Sequence, residues 1–124
     1  MRILLIEPEK KPVVTEIDGS LESMQAIVGG TIQAVYPFED PVALVCHEEG
    51  KLLGLPLNRA LYLPDGKTMY DIISGTFFVC GIGDEDFTSL TEEQIETYTQ
   101  RFALPELFLG HNGKIIVVPI KYVD

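Results

Sequence analysis

Basic residues are scarce in this sequence: nine Lys and Arg stand against nineteen Asp and Glu in 124 residues, a formal net charge of −10. Binding a duplex means neutralising phosphates with Lys and Arg, so this composition argues against direct nucleic-acid binding. Cysteine is thin as well. Cys46 and Cys80 each sit inside an apolar run and lack CxxC spacing, so they read as reduced core thiols rather than a disulfide or a metal pair. Long apolar runs are missing too. The N-terminal stretch 3–6 is only four residues long, against the ~20 of a membrane span and more than four in a signal peptide. The expectation is a soluble, cytoplasmic protein without membrane association.

What is present fits one domain, residues 1–124, with 46 % hydrophobic and 23 % charged residues. A chain of this size buries roughly two-thirds of its unfolded surface and so holds a core without staples. Eleven glycines and eight prolines are scattered along it and punctuate short elements. An acidic surface of this kind favours basic partners, nucleic-acid-binding proteins among them.

Hydrophobic period predicts a buried strand over residues 1–6 and an alternating strand over 12–17. Leu21, Met24 and Val28 mark a short helix, with Ser20 or Asp18 to cap it and Gly29 to end it. Strands are expected over 31–36 and 42–47, the second turning at 48–50 into 51–55 as a hairpin. The segment 56–63 is apolar, with Pro56 arguing against a central strand, and 64–67 is a turn. Residues 71–75 lead into a strong strand over 76–80. Thr91 and Gln94 have capping-box spacing at the start of a second helix, whose stripe is Ile95, Tyr98 and Phe102. Asn112-Gly113 turns the chain into a last strand, 114–120. The class is α+β: a mixed, mainly antiparallel sheet of about five to seven short strands with two short helices.

Several residues invite a functional reading. Gly81-Ile82-Gly83 follows a strand, but Asp84, Glu85 and Asp86 come next and would repel phosphate, so it is not a phosphate loop. Those three adjacent carboxylates do not match a calcium loop either, and the histidines and cysteines at 46, 47, 80 and 111 lack finger spacing. No metal site and no cofactor are expected. The charge pattern is more telling. From Thr68 to Gln100 there is no Lys or Arg, whereas Asp71, Asp84, Glu85, Asp86, Glu92, Glu93 and Glu96 are acidic. The last six form a candidate docking face for a basic partner. Asn58 and Arg59, set among Leu55, Leu57, Leu61 and Leu63, form a candidate ligand site: an Arg in such surroundings snorkels, pairs with a carboxylate or faces an anion. Asp71 is the expected ion-pair partner.

The runs Gly29-Gly30-Thr31-Ile32-Gln33-Ala34-Val35, Glu48-Glu49-Gly50-Lys51-Leu52-Leu53-Gly54-Leu55-Pro56-Leu57-Asn58-Arg59-Ala60 and Ile73-Ser74-Gly75-Thr76-Phe77-Phe78-Val79 resemble the domain-of-unknown-function family 3846. Residues 86–102 are similar to the form that family takes in Gram-positive mobile elements. The resemblance implies a protein encoded in phages, plasmids or conjugative elements, often beside anti-restriction genes. In that setting small acidic proteins are often inhibitors of host defence, anti-CRISPR proteins included. The leading expectation is a protein-binding module rather than an enzyme, docking on a basic protein such as a nuclease and competing with its nucleic acid. The alternative is a domain that binds or sequesters an anionic small molecule through Asn58 and Arg59. The third is a metal-dependent nuclease using Asp84 or Asp86. Composition leaves homo-oligomerisation open.

Overall fold

A computed structural model describes residues 1–121, which form two helices and ten strands. The centre of the fold is a stack of three apolar strands, β1 (Arg2–Ile6), β4 (Val42–His47) and β7 (Phe77–Ile82). Side chains alternate across a strand, and here both sets are apolar. Leu4, Ile6, Val42, Leu44, Cys46, Phe77 and Val79 enter one core cluster, and Ile3, Ala43, Val45, Phe78 and Cys80 the other. Burial on both faces is why these segments read as unbroken apolar runs.

Two more strands complete the path: β2 (Val13–Glu16) and β3 (Ile32–Val35), in the order β2-β1-β7-β4-β3 with every neighbour antiparallel. The short β8 (Phe87–Thr88) returns along β7. One face is covered by α1 (Leu21–Val28) through Met24 and Val28. Ser20 caps that helix by accepting from the Ser23 amide, and Gly29 closes it at φ 84°, a left-handed conformation glycine adopts without steric cost. The opposite face is covered by α2 (Glu92–Arg101) and by a separate hairpin, β5 (Leu57–Tyr62) with β6 (Met69–Ser74). Tyr98, Phe102, Leu61 and Ile73 are what these elements bury there. Phe38 stacks at 4.7 Å on Tyr98, and Phe102 meets Phe77 edge-on at 5.6 Å. The chain ends in a third sheet, β9 (Glu106–His111) with β10 (Lys114–Pro119), joined by Asn112 at φ 50° and Gly113 at φ 75°. Two positive φ angles define the tight turn that matches strand twist.

The α+β class with mainly antiparallel sheets holds, and the six strands of the central sheet fall within the five to seven expected, beside two further two-stranded sheets. Three segments differ in detail. Residues 51–55 do not return along β4: both its edges are occupied, by β3 and β7, so they coil instead, with the Leu53 amide donating to the Glu49 carbonyl at 2.9 Å. The segment after Pro56 does become a strand, in the outlying hairpin rather than in the central sheet. The loop expected at Gly81 begins later, since β7 runs on to Ile82; a Cβ at Gly81 would lie 2.7 Å from the Ser89 carbonyl oxygen, so glycine lets the returning chain approach.

The capping box of α2 is complete: the Gln94 amide donates to Thr91 Oγ1 at 3.1 Å and the Thr91 amide to Gln94 Oε1 at 3.0 Å. Thr91→Ala should cost about 1 kcal/mol and lower the melting midpoint by roughly 3–6 °C. Thermal denaturation followed by circular dichroism checks this.

Candidate functional site

Asn58 and Arg59 begin the edge of β5 that faces the central sheet, and both are buried, Arg59 to 1 % exposure. The Asn58 amide nitrogen donates to the carbonyls of Ile6 and Gly75, both at 2.9 Å, tying β5 to the end of β1 and to the β6–β7 turn. Its side-chain oxygen accepts from Arg59 Nη1 at 2.8 Å. Arg59 Nη2 donates to the Lys10 carbonyl at 2.7 Å and to the Phe102 carbonyl at 3.1 Å. Those carbonyls end the β1–β2 turn and helix α2. The expected Asp71 partner is replaced, because the β5–β6 register sets Arg59 opposite Ile73 and Asp71 opposite Leu61. Asp71 pairs with Lys51 instead. The small space beside Arg59, about 60 Å³, is shared with Tyr62, Phe102 and Glu106. Burial raises the Glu106 carboxyl above its usual range, although the Ala60 amide and the Arg59 charge work against the rise.

A larger cleft, about 240 Å³, opens between β4 and the β5–β6 hairpin. Glu48, Gly50, Lys51 and Leu52 line one wall, His47 and Cys46 another, and Asp71 and Ser74 a third. Gly50 is required here: a Cβ would come within 2.7 Å of the Ser74 carbonyl oxygen. His47 Nδ1 accepts from the Glu49 amide at 2.9 Å, which places the ring proton on Nε2. The sequence placed His47, Lys51 and Asp71 in three unrelated contexts. Only the docking of the hairpin beside β4 brings them to one cleft, so no local spacing could have shown it.

The acidic residues occupy a different region. Asp84, Glu85 and Asp86 form the β7–β8 turn, closed by the Gly83 amide donating to the Asp86 carbonyl at 2.8 Å. Glu92, Glu93 and Glu96 lie on α2, and all six side chains are exposed. The two groups are joined through the loop after β3: the Ile82 amide donates to the Pro41 carbonyl at 2.9 Å, and Asp40, Pro41 and Glu93 line one shallow groove. Asp40 also accepts from the Tyr98 hydroxyl at 2.7 Å. Burial, and then this acceptor, push the Tyr98 hydroxyl well above its ordinary value. Glu92 pairs with Arg2. Among the described residues no ion pair involves Asp84, Glu85, Asp86, Glu93 or Glu96, and no group of three or more His, Cys, Asp or Glu is arranged to hold a metal ion.

Cys46 and Cys80 lie in the two different clusters, on opposite faces of the central sheet, and both are free thiols. Burial, with the Asp86 charge second, pushes the Cys80 thiol up to about 12; burial also raises Cys46, with Asp71 adding to it and Lys51 opposing.

The chain belongs to the family described as a domain of unknown function (DUF3846), whose model matches residues 1–103. No curated protein and no solved structure matches it. Among the described residues, no helix is long and apolar enough to cross a membrane.

Two outcomes follow from this geometry. Arg59→Ala strips hydrogen bonds from buried carbonyls and should cost about 3 kcal/mol or more. Arg59→Lys should also destabilise, because an ammonium cannot span the same fork of acceptors. Lys51→Ala, which removes a solvent-screened pair, should change stability by less than ~1 kcal/mol. Urea denaturation of the three variants measures the contrast. Separately, a chromogenic disulfide reagent at pH 8 should label neither thiol in the native protein and both in denaturant; rapid native labelling would contradict the burial.

Proposed function

We propose that this member of the family is a small cytoplasmic binding module of a mobile genetic element that docks its acidic end on a basic protein. The partner class is a nucleic-acid-binding protein, such as a nuclease of host defence, which the module inhibits in the anti-CRISPR or anti-restriction manner by competing with nucleic acid. One observation carries this reading. Five exposed carboxylates on the β7–β8 turn and α2 lack ion pairs among the described residues and continue through the shared groove to Asp40. Uncompensated charge of one sign raises the encounter rate with an oppositely charged surface and orients it. The cost is self-repulsion within the fold, which a purely structural surface gains nothing by carrying.

The ligand-binding alternative moves to a new place. Asn58 and Arg59 are engaged with carbonyls of the fold, whereas the His47–Lys51–Asp71 cleft offers convergent polar groups. At about 240 Å³ it lies below the usual range for drug-sized ligands and suits a compact one.

An affinity pull-down from a host lysate, eluted over a salt gradient, separates the readings. Partners of the acidic end should elute as exposed charge contacts are screened. They should be lost from a variant carrying Asp84→Asn, Glu85→Gln, Glu93→Gln and Glu96→Gln while Lys51→Ala retains them. Partners that survive high salt and bind the neutralised variant equally well would overturn the acidic-end reading.

A further inference from the structure

The His47–Lys51–Asp71 cleft adjoins a second space along β6. It is about 360 Å³, and Leu57, Met69, Tyr70, Ile72 and Ile115 give it apolar walls. Ile115 belongs to β10, so the terminal hairpin closes one side. The two spaces share Lys51, Asp71, Ile72 and Ser74. The Lys51–Asp71 pair therefore stands between a polar chamber and an apolar one. Two polar atoms at this boundary are left open. Tyr70, Ile72 and Ser74 alternate along β6 and so share one face. Ser74 is only 5 % exposed, and among the described residues its hydroxyl has no hydrogen-bond partner. Asp71 accepts from Lys51 Nζ and from the Ile72 amide, but both bonds fall on Oδ1. Its Oδ2 has no hydrogen bond among the described residues. A nearly buried hydroxyl without a partner is costly for a fold to keep. Here it lies where a donor can arrive through the chamber.

Charge selects the donor. The connected spaces are lined by two carboxylates, Glu48 and Asp71, against the single ammonium of Lys51. His47 adds no charge, because its Nδ1 accepts from the Glu49 amide. The chain as a whole carries −10, which disfavours anions and draws cations in. We infer that the connected spaces bind a small amphipathic amine. Its ammonium donates to Asp71 Oδ2 and Ser74 Oγ, and its hydrocarbon body lies against Leu57, Tyr70, Ile72 and Ile115. Lys51 keeps its own bond to Oδ1, so the incoming ammonium does not have to displace it. At about 360 Å³ the apolar chamber alone falls within the usual range for small-molecule sites, and burial against its walls supplies affinity. This inference rests on the ligand-binding alternative, to which it adds a second chamber and a ligand class, and it is independent of docking by the acidic end.

Hexylamine, hexanol and hexanoate carry the same hydrocarbon chain with a cationic, a neutral and an anionic head. Each is titrated at neutral pH into the isotopically labelled full chain, with binding read from amide NMR shifts. Hexylamine should bind about tenfold more tightly than hexanoate, and several-fold more tightly than hexanol. Its shifts should centre on residues 70–74 and on Ile115, a map that needs no variant to fold. Asp71→Asn should weaken hexylamine several-fold and leave hexanol nearly unchanged, a selectivity that a merely structural role would not produce. Ser74→Ala should weaken hexylamine as well. Equal binding of the three compounds, or an Asp71→Asn variant that binds hexylamine as the native chain does, would overturn the assignment. Shifts confined to residues 47–51, with none at Tyr70 or Ile115, would also overturn it while leaving the smaller cleft as the ligand site. Shifts at neither place would overturn the amine assignment without touching the acidic-end reading.

Discussion

A buried guanidinium holds the outer layer of this protein to its sheet. Arg59 and its neighbour Asn58 sit at the start of β5, and their hydrogen bonds reach the end of β1, the β1–β2 turn, the β6–β7 turn and the end of α2. The β1 end with its turn, the β6–β7 turn and the end of α2 come from three distant parts of the chain, of which β1 and β7 also share a ladder of the central sheet. Such a charge is tolerable in a low-dielectric interior only where acceptors surround it. The acceptors are main-chain carbonyls at element ends, groups that would otherwise face a core without partners. One side chain therefore solves two desolvation problems together, and the hairpin, the helix and the turn are held in one arrangement as a result.

That arrangement creates the cleft and frees the acidic end. Because the hairpin docks beside β4, Lys51 and Asp71 meet across from His47. Because α2 covers the same side of the sheet through Tyr98 and Phe102, its carboxylates are left facing water. Among the described residues, Glu92 is the one of the six acidic residues with an ion pair, to Arg2 of β1. The core sets the position of the surface charge, and the charge contributes little to the core. The residues proposed for docking are thereby different from those that hold the fold, which leaves the acidic end open to neutralisation without unfolding the domain.

Much of the fold was legible because its signals are local. The unbroken apolar runs of β1, β4 and β7, the Ser20 and Thr91 caps, the Gly29 terminus and the Asn112-Gly113 turn each rest on a few adjacent residues whose dihedral or hydrogen-bonding preferences act at short range. Strand β9 carried its own signal, since Leu107 and Leu109 alternate ahead of the Asn112-Gly113 turn that closes its hairpin. The false hairpin after β4 shows the limit. Residues 51–55 have strand-like composition, but pairing needs a free edge, and β4 had given both of its edges to β3 and β7.

The amino-acid sequence by itself determined the α+β class, the helix boundaries, the reduced cysteines' place in apolar strands and the acidic stretch, because each depends on periodicity or charge within a short window. Tertiary structure alone decided that Arg59 binds carbonyls instead of Asp71, that Cys46 and Cys80 fall on opposite faces, and that His47, Lys51 and Asp71 share a cleft. Those outcomes depend on register and on which edges are already taken. A hydrogen bond forms only where its donor and acceptor arrive within about 3 Å of one another, and that proximity is a property of the assembled sheets.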